Sequence, residues 1–284
     1  MPERPLAAIT GASAGIGAEF ARQLAQRGYA LLLIARRADK LSALAQEVSV
    51  PVEVMAADLV IEAECERVAQ RLRTDPNLAV LVNNAGFGTL GLFPQTELES
   101  QQRMNKLHVL AASTLTHAAL QNLTAREAAG ALPDQPCGII NVASIASFGQ
   151  SPSNVSYCAT KAWTASFTEG LALELGTSGS RIRAQALCPG FTYSEFHDVM
   201  KMDRRSVPES FWLKADYVVR ESLAGFDRGD VFVIPNWRYR FIANFLKLTP
   251  KSLIHKVTIQ LARYRQKRIQ RARGPKRGSP QALK

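Results

Sequence analysis

The 284-residue chain is 46 % hydrophobic and 21 % charged, a globular balance that excludes a disordered or fibrous protein and leaves room for one large α/β domain or two smaller ones. No apolar run approaches the ~18 residues of a membrane span, and no basic segment with a long apolar core opens the chain as a signal peptide would, so a cytoplasmic protein is expected. The net charge of +11 is not a nucleic-acid signature, because the 14 Lys and Arg after Asp230 have no acid among them, whereas the first 230 residues hold the other 21 and all 24 acids, a balance of −3 that would repel a duplex.

Leu6 to Ile9 reads as a strand. It runs into Thr10-Gly11-Ala12-Ser13-Ala14-Gly15-Ile16-Gly17 and then a helical pattern to Arg27. Glycines in a tight turn let a pyrophosphate approach backbone N–H groups at a helix N-terminus, so Gly11, Ser13, Gly15, Ile16 and Gly17 are candidate cofactor contacts. The spacing G-x-x-x-G-x-G is a variant of the general dinucleotide pattern G-x-G-x-x-G. The same letters also satisfy G-x-S-x-G, the nucleophile elbow of serine hydrolases. With only twelve residues before Ser13, no earlier strand is available to supply that enzyme's oxyanion loop.

Ala30 to Ala35 is wholly apolar, as a strand covered on both faces should be. It ends in Arg36 and Arg37. An acid at this strand end binds a ribose 2′-hydroxyl and an arginine accommodates a 2′-phosphate, so NADP(H) is expected rather than NAD(H). The alternation continues with a helix over Ala38 to Val48, a strand over Val52 to Ala56, a helix over Ile61 to Arg73 and a strand over Ala79 to Val82. It predicts a Rossmann-type, doubly wound parallel sheet of about seven strands, with ligands at the strands' carboxyl ends. Asp58 lies at one such end, and Asn83, Asn84, Ala85 and Gly86 at another.

Glu97 to about Ala119, containing Asn105, reads as one long helix, and Asn122 to Pro136 as a loop. Gly138 to Ser144 is a fifth strand ending in a serine. Tyr157 and Lys161 then share a face of a helix over Val155 to Leu175, being four residues apart. The four cysteines (Cys65, Cys137, Cys158, Cys188) lack metal or disulfide spacing, and His108, His117, His197 and His255 are expected to be surface or packing residues. No metal site is expected.

These motifs together resemble the short-chain dehydrogenase/reductase family over about residues 5 to 236. T-G-x-x-x-G-x-G is Thr10 to Gly17, N-N-A-G is Asn83 to Gly86, the active-site serine is Ser144 and Y-x-x-x-K is Tyr157 to Lys161. The resemblance assigns the family's active-site asparagine to Asn105, and its turn after the sixth strand (Arg181 to Leu187) to Pro189-Gly190, followed by Thr192. Ala143 stands where many members have a second serine, and Ala14 where many NADP-dependent members have a basic residue. The resemblance implies NADPH-dependent reduction of a ketone or aldehyde. Tyr157 would be the proton donor, Lys161 would lower the tyrosine's pKa and hold the nicotinamide ribose, Ser144 would bind the substrate oxygen, and Asn105 would hold a relay water. It also implies a homodimer or homotetramer through the Tyr-Lys helix, where Ala159, Ala162, Ala165 and Ala172 would allow close approach. A silent nucleotide-binding scaffold is the alternative, but a binder needs none of the four residues.

Phe191 to Leu213, with Tyr193, Phe196, Met200, Met202, Phe211 and Trp212, is the expected substrate cover and favours an apolar substrate such as a long-chain oxoacyl compound. A helix over Ala215 to Phe226 and a strand over Val231 to Ile234 complete the catalytic domain, residues 1–236. Residues 237–284 form a basic extension, helical over Asn236 to Leu248 and Lys251 to Gln270 and disordered from Arg271 to Lys284. Its amphipathic, acid-free character suits helices that cover the core, or an anionic membrane surface to which the protein would be peripheral.

Overall fold

The run Ala30–Ala35 has no polar side chain to turn toward water. In the computed structural model, which describes residues 4–196, 200 and 207–272, it is strand β2, with Leu31, Leu32, Leu33 and Ile34 shut off from solvent. A strand buried on both faces needs helices above and below, and the chain supplies them in alternation. The order is β1 (Leu6–Thr10), α1 (Gly15–Gln26), β2, α2 (Ala38–Glu47), β3 (Val52–Ala56), α3 (Glu62–Thr74), β4 (Leu78–Asn83), α4 (Leu98–Asn105), α5 (Ala112–Ala128), β5 (Gly138–Val142), α6 (Val155–Thr177), β6 (Arg183–Leu187), α7 (Ala215–Arg228) and β7 (Phe232–Val233).

Every strand pairing is parallel, in the order β3-β2-β1-β4-β5-β6-β7. The winding reverses between β1 and β4, so the crevice beyond their carboxyl ends is the switch point at which doubly wound sheets hold ligands. Thr10, Asn83 and Ser144 all stand at strand ends beside it.

Two elements differ from the expectation. The long helix over Glu97 to Ala119 is interrupted by a wide π turn at Lys106–Ala111, a feature that recurs at functional sites. The presumed loop from Asn122 is helical as far as Ala128. Asn122 is buried there, and its amide donates to the carbonyls of Leu72, Arg73 and Asp75 at 2.9, 3.1 and 2.7 Å. It closes the carboxyl end of α3, whose last carbonyls have no partner within the helix.

The chain falls into two compact units, residues 1–243 and 244–284. Helix α8 (Trp237–Leu248) begins in the first, where Tyr239 and Ala243 are buried. The second holds the end of α8 and helix α9 (Lys251–Ala272), on which Leu253, Val257, Leu261 and Tyr264 are exposed. No helix among the described residues is long and apolar enough to cross a membrane. The tail expected to be disordered falls, from Arg273 on, outside the described residues, as do His197 and Met202.

Candidate active site

At the end of β1 the chain must turn without side chains. Gly11 and Gly15 adopt φ of +65° and +56°, which a Cβ resists. A Cβ at Gly11 would lie 2.8 Å from Ala85 Cα, and one at Gly17 would lie 2.4 Å from the Gly11 carbonyl oxygen. The adjoining N-terminus of α1 has no side-chain cap and no acid in its first turn, so its N–H groups and its positive dipole end are left to an anion.

The loop after β4 is fastened to this turn. Thr10, 1 % exposed, accepts from the N–H groups of Asn84 and Ala85 at 2.9 and 3.0 Å. The Asn84 amide donates to the carbonyls of Thr10 and Gly11 at 2.9 and 3.2 Å. Asn83 instead turns inward, donating to Asn141 Oδ1 and Thr116 Oγ1, both at 2.9 Å, while the Asn141 amide donates to Thr168 Oγ1 at 2.9 Å. This buried polar ladder, satisfied at each step, fixes β4, β5 and α6 beneath the site.

Tyr157 and Lys161 face Ser144 from α6. Burial pushes the Tyr157 phenol up to about 12, partly offset by a hydrogen bond from Ser144. The Ser144 hydroxyl also accepts from the Ala146 N–H at 3.1 Å, at the start of a short 3-10 turn. Lys161 is 6 % exposed, and its Nζ donates to the Val142 carbonyl at 2.7 Å, 5.9 Å from the centre of the Tyr157 ring. Desolvation lowers its amine to about 8, against a smaller raising effect of Cys188. In the free protein burial outweighs the influences that lower the phenol. At neutral pH Tyr157 is held protonated and Lys161 charged.

Asn105 is not part of this cluster. It ends α4 on the exposed side of the helix, whereas His108, in the π turn, is buried and meets the Tyr157 ring edge-on at 6.1 Å. The helical pattern alone gave no sign of this, because the π turn rotates every later residue relative to a regular helix. A cavity of about 20 Å³, lined by His108, Lys161, Asn83 and Asn141, lies beside the cluster and has room for a water.

Arg36 and Arg37 are both exposed at the end of β2. The Arg37 guanidinium donates to Ser13 Oγ at 2.9 Å and pairs with Glu195 at 2.9 Å. Asp58 is held by Arg103 at 2.9 Å and caps the following turn by accepting from the Val60 N–H at 3.2 Å.

On the far side, a Cβ at Gly190 would fall 1.9 Å from the ring of Tyr239. The Tyr239 hydroxyl donates to the Phe211 carbonyl at 2.6 Å and accepts from the Phe191 N–H at 3.1 Å. Thr192, 3 % exposed, donates to the Gly190 carbonyl at 3.1 Å. Tyr239 belongs to the region assigned from sequence to the extension, where nothing in the pattern marked it as a prop of the Pro189-Gly190 turn.

Residues 5–204 match the family model described as short chain dehydrogenase, and the chain belongs to this family of oxidoreductases. Among solved structures, it is 35 % identical to a short-chain dehydrogenase from Sphingobium yanoikuyae in complex with NADPH, with a TM-score of 0.74 over 84 % of this chain and 91 % of that one. The bulky-bulky ketone specific alcohol dehydrogenase of Comamonas testosteroni is 29 % identical, with a TM-score of 0.69 over 97 % and 96 %. The 3-ketoacyl-(acyl-carrier-protein) reductase of Brucella melitensis, complexed with NADH, is 28 % identical, with a TM-score of 0.71 over 82 % and 97 %. The family thus carries either nicotinamide dinucleotide. The glycine turn, which added Cβ atoms would obstruct, fits such a group.

Proposed function

We propose that this protein is an NADPH-dependent carbonyl reductase acting on an apolar ketone or aldehyde. The observation that carries the reading is Lys161, desolvated yet charged, on the same helix face as a tyrosine bonded to Ser144. A scaffold has no use for a lysine whose burial destabilises the fold. Nor does a hydrolase at Ser13 fit, since Ser13 Oγ accepts from Arg37, a group that cannot remove its proton.

Gly11, Gly15, Ile16 and Gly17 would hold the pyrophosphate, Asn84, Ala85 and Gly86 would line the dinucleotide, and Asp58 would lie at the adenine end. Pro189, Gly190 and Thr192 would border the nicotinamide, and Ser13, Arg36 and Arg37 would face the 2′-phosphate. Held there, such a cofactor would supply hydride to the carbonyl carbon. As negative charge grows on the substrate oxygen, the Tyr157 phenol donates its proton there and Ser144 supplies a second hydrogen bond. The Lys161 charge stabilises the tyrosinate left behind. A phenol near 12 is fully protonated at neutral pH, the state in which reduction must begin. Phe191 and Tyr193, whose rings pack on that of Trp212 at 5.6 and 5.1 Å, support an apolar substrate. The test is NADPH consumption on a panel of long-chain oxoacyl, steroid and bulky aromatic ketones. Tyr157→Phe is expected to abolish it, and near wild-type turnover in that variant would overturn the assignment.

The exposed Leu253, Val257, Leu261 and Tyr264 lie at i, i+4, i+8 and i+11, on one face of α9. With no acid after Asp230, this favours a peripheral contact with anionic lipid, where each Lys or Arg near the headgroups contributes ~1 kcal/mol. The full chain is expected to co-sediment with anionic vesicles at low salt and to stay in the supernatant with neutral ones; equal behaviour would remove this reading. A homodimer or homotetramer through α6 is expected by light scattering. Ala165 is buried within the fold, whereas Ala159 is exposed and Ala162 and Ala172 are half-buried.

A further inference from the structure

His108 is 3 % exposed, and both of its ring nitrogens are committed. The Phe87 N–H donates to Nε2 at 3.2 Å, so Nε2 carries no proton and the tautomer has its hydrogen on Nδ1. Nδ1 therefore donates to Thr160 Oγ1, 2.9 Å away, and Thr160 Oγ1 in turn donates to the Tyr157 carbonyl at 3.0 Å. Each donor meets one acceptor along the chain Phe87, His108, Thr160, Tyr157. Burial, followed by the nearby charge of Lys161, keeps the imidazole neutral.

The loop before Phe87 is built around the ring, since a Cβ at Gly86 would lie 2.8 Å from Nε2. The same loop is held to the glycine turn through Thr10 and Asn84. His108 thus joins two parts of the site that no strand pairing or helix connects directly, the loop after β4 and the opening turns of α6. With neither nitrogen free it cannot pass protons, and its ring meets that of Tyr157 edge-on.

We propose that His108 is the positioning residue of this site. It acts through Phe87 and Thr160 to set where Tyr157 stands relative to the cofactor loop, and it occupies the place in the cluster that Asn105 does not reach. The proposal rests on the carbonyl reductase reading.

The experiment compares His108→Leu, similar in bulk and without polar atoms, with His108→Gln, whose amide can accept from Phe87 and donate to Thr160. Both are checked for folding by circular dichroism and for NADPH affinity by fluorescence titration. His108→Leu is expected to lower kcat at least about tenfold, the scale of one buried hydrogen bond lost from the reacting geometry. NADPH affinity should change less than about threefold, because Thr10 and Asn84 still hold the loop. His108→Gln should recover kcat to within about threefold of the parent. A folded His108→Leu with unchanged kcat, or equally slow Leu and Gln variants, would overturn the proposal.

If His108→Leu does not fold, Thr160→Val decides. It keeps the histidine, removes its acceptor and is expected to slow kcat severalfold, so unchanged turnover rejects the tie. Tyr157→Phe is measured alongside. An active Tyr157→Phe overturns the reductase reading and this proposal with it, whereas an inactive one beside a fast His108→Leu overturns this proposal alone.

Discussion

Lys161 gives the most direct energetic test of the site. Its amine titrates at 10.5 in an unfolded chain and at about 8 in the folded one, because burial disfavours the charge. Between those values the unfolded chain holds a proton that the folded chain has released, so stability rises with pH across that window. The penalty is present in full below pH 8 and gone above 10.5. A displacement of this size is worth about 3 kcal/mol. Lys161→Met keeps an unbranched side chain of similar reach and removes the charge. At pH 7 the variant gains about 3 kcal/mol from the lost penalty and gives back about 1 to 3 kcal/mol for the Val142 carbonyl left without its donor. It should therefore be as stable as the parent or somewhat more so, while inactive as a reductase. Urea unfolding of both proteins in steps from pH 7 to pH 10.5 reads the difference and cancels groups that titrate alike in the two. The parent should gain about 3 kcal/mol on the variant over that range, most of it above pH 8. A difference that stays flat to within about 0.5 kcal/mol would show that Lys161 is not a desolvated cation, and the argument for its role would fall with it.

Asn105→Ala should leave kcat/KM within about twofold, as an exposed helical residue away from the cluster requires; a loss beyond tenfold would restore it to the site. Gly11→Ala should cost more than about 1 kcal/mol in unfolding free energy and most of the NADPH affinity, since the backbone is left-handed there and Ala85 occupies the space a Cβ needs. Wild-type cofactor binding in that variant would be incompatible with the cradle described. Arg36→Ala should reduce the preference for NADPH over NADH by about tenfold or more. Glu195→Gln should raise that preference by freeing Arg37 from its carboxylate, and titration with both cofactors checks the two variants together.

The parallel sheet was legible because its information is local. Six consecutive apolar residues in β2 call for cover on both faces, and the glycines that follow β1 turn the chain where an apolar run gives way to a helical pattern. Ser144, Tyr157 and Lys161 follow the same logic, since a strand end and one helical turn bring them together whatever the rest of the fold does. Asn105 failed for the opposite reason. Its assignment came from the resemblance alone; it lies on the exposed side of α4 just before the π turn at Lys106–Ala111, and it is His108, within that turn, that faces the interior. Asn122 reads as a loop residue until the open carbonyls of α3 are present beside it. Tyr239 is one aromatic among several in a stretch whose amphipathic pattern spoke of a surface helix, and its partner Gly190 lies 49 residues away in the sequence.

That distant pair constrains how the gene may be altered. The ring of Tyr239 stands in the volume that any side chain at position 190 would claim, and its hydroxyl ties Phe191 to Phe211. The two positions are therefore sterically coupled, glycine being compatible with tyrosine and a bulkier residue at 190 only with a smaller one at 239. A shortened chain designed to discard the basic extension must keep the opening turns of α8, because a cut at residue 236 would take away a wall of the site together with the tail.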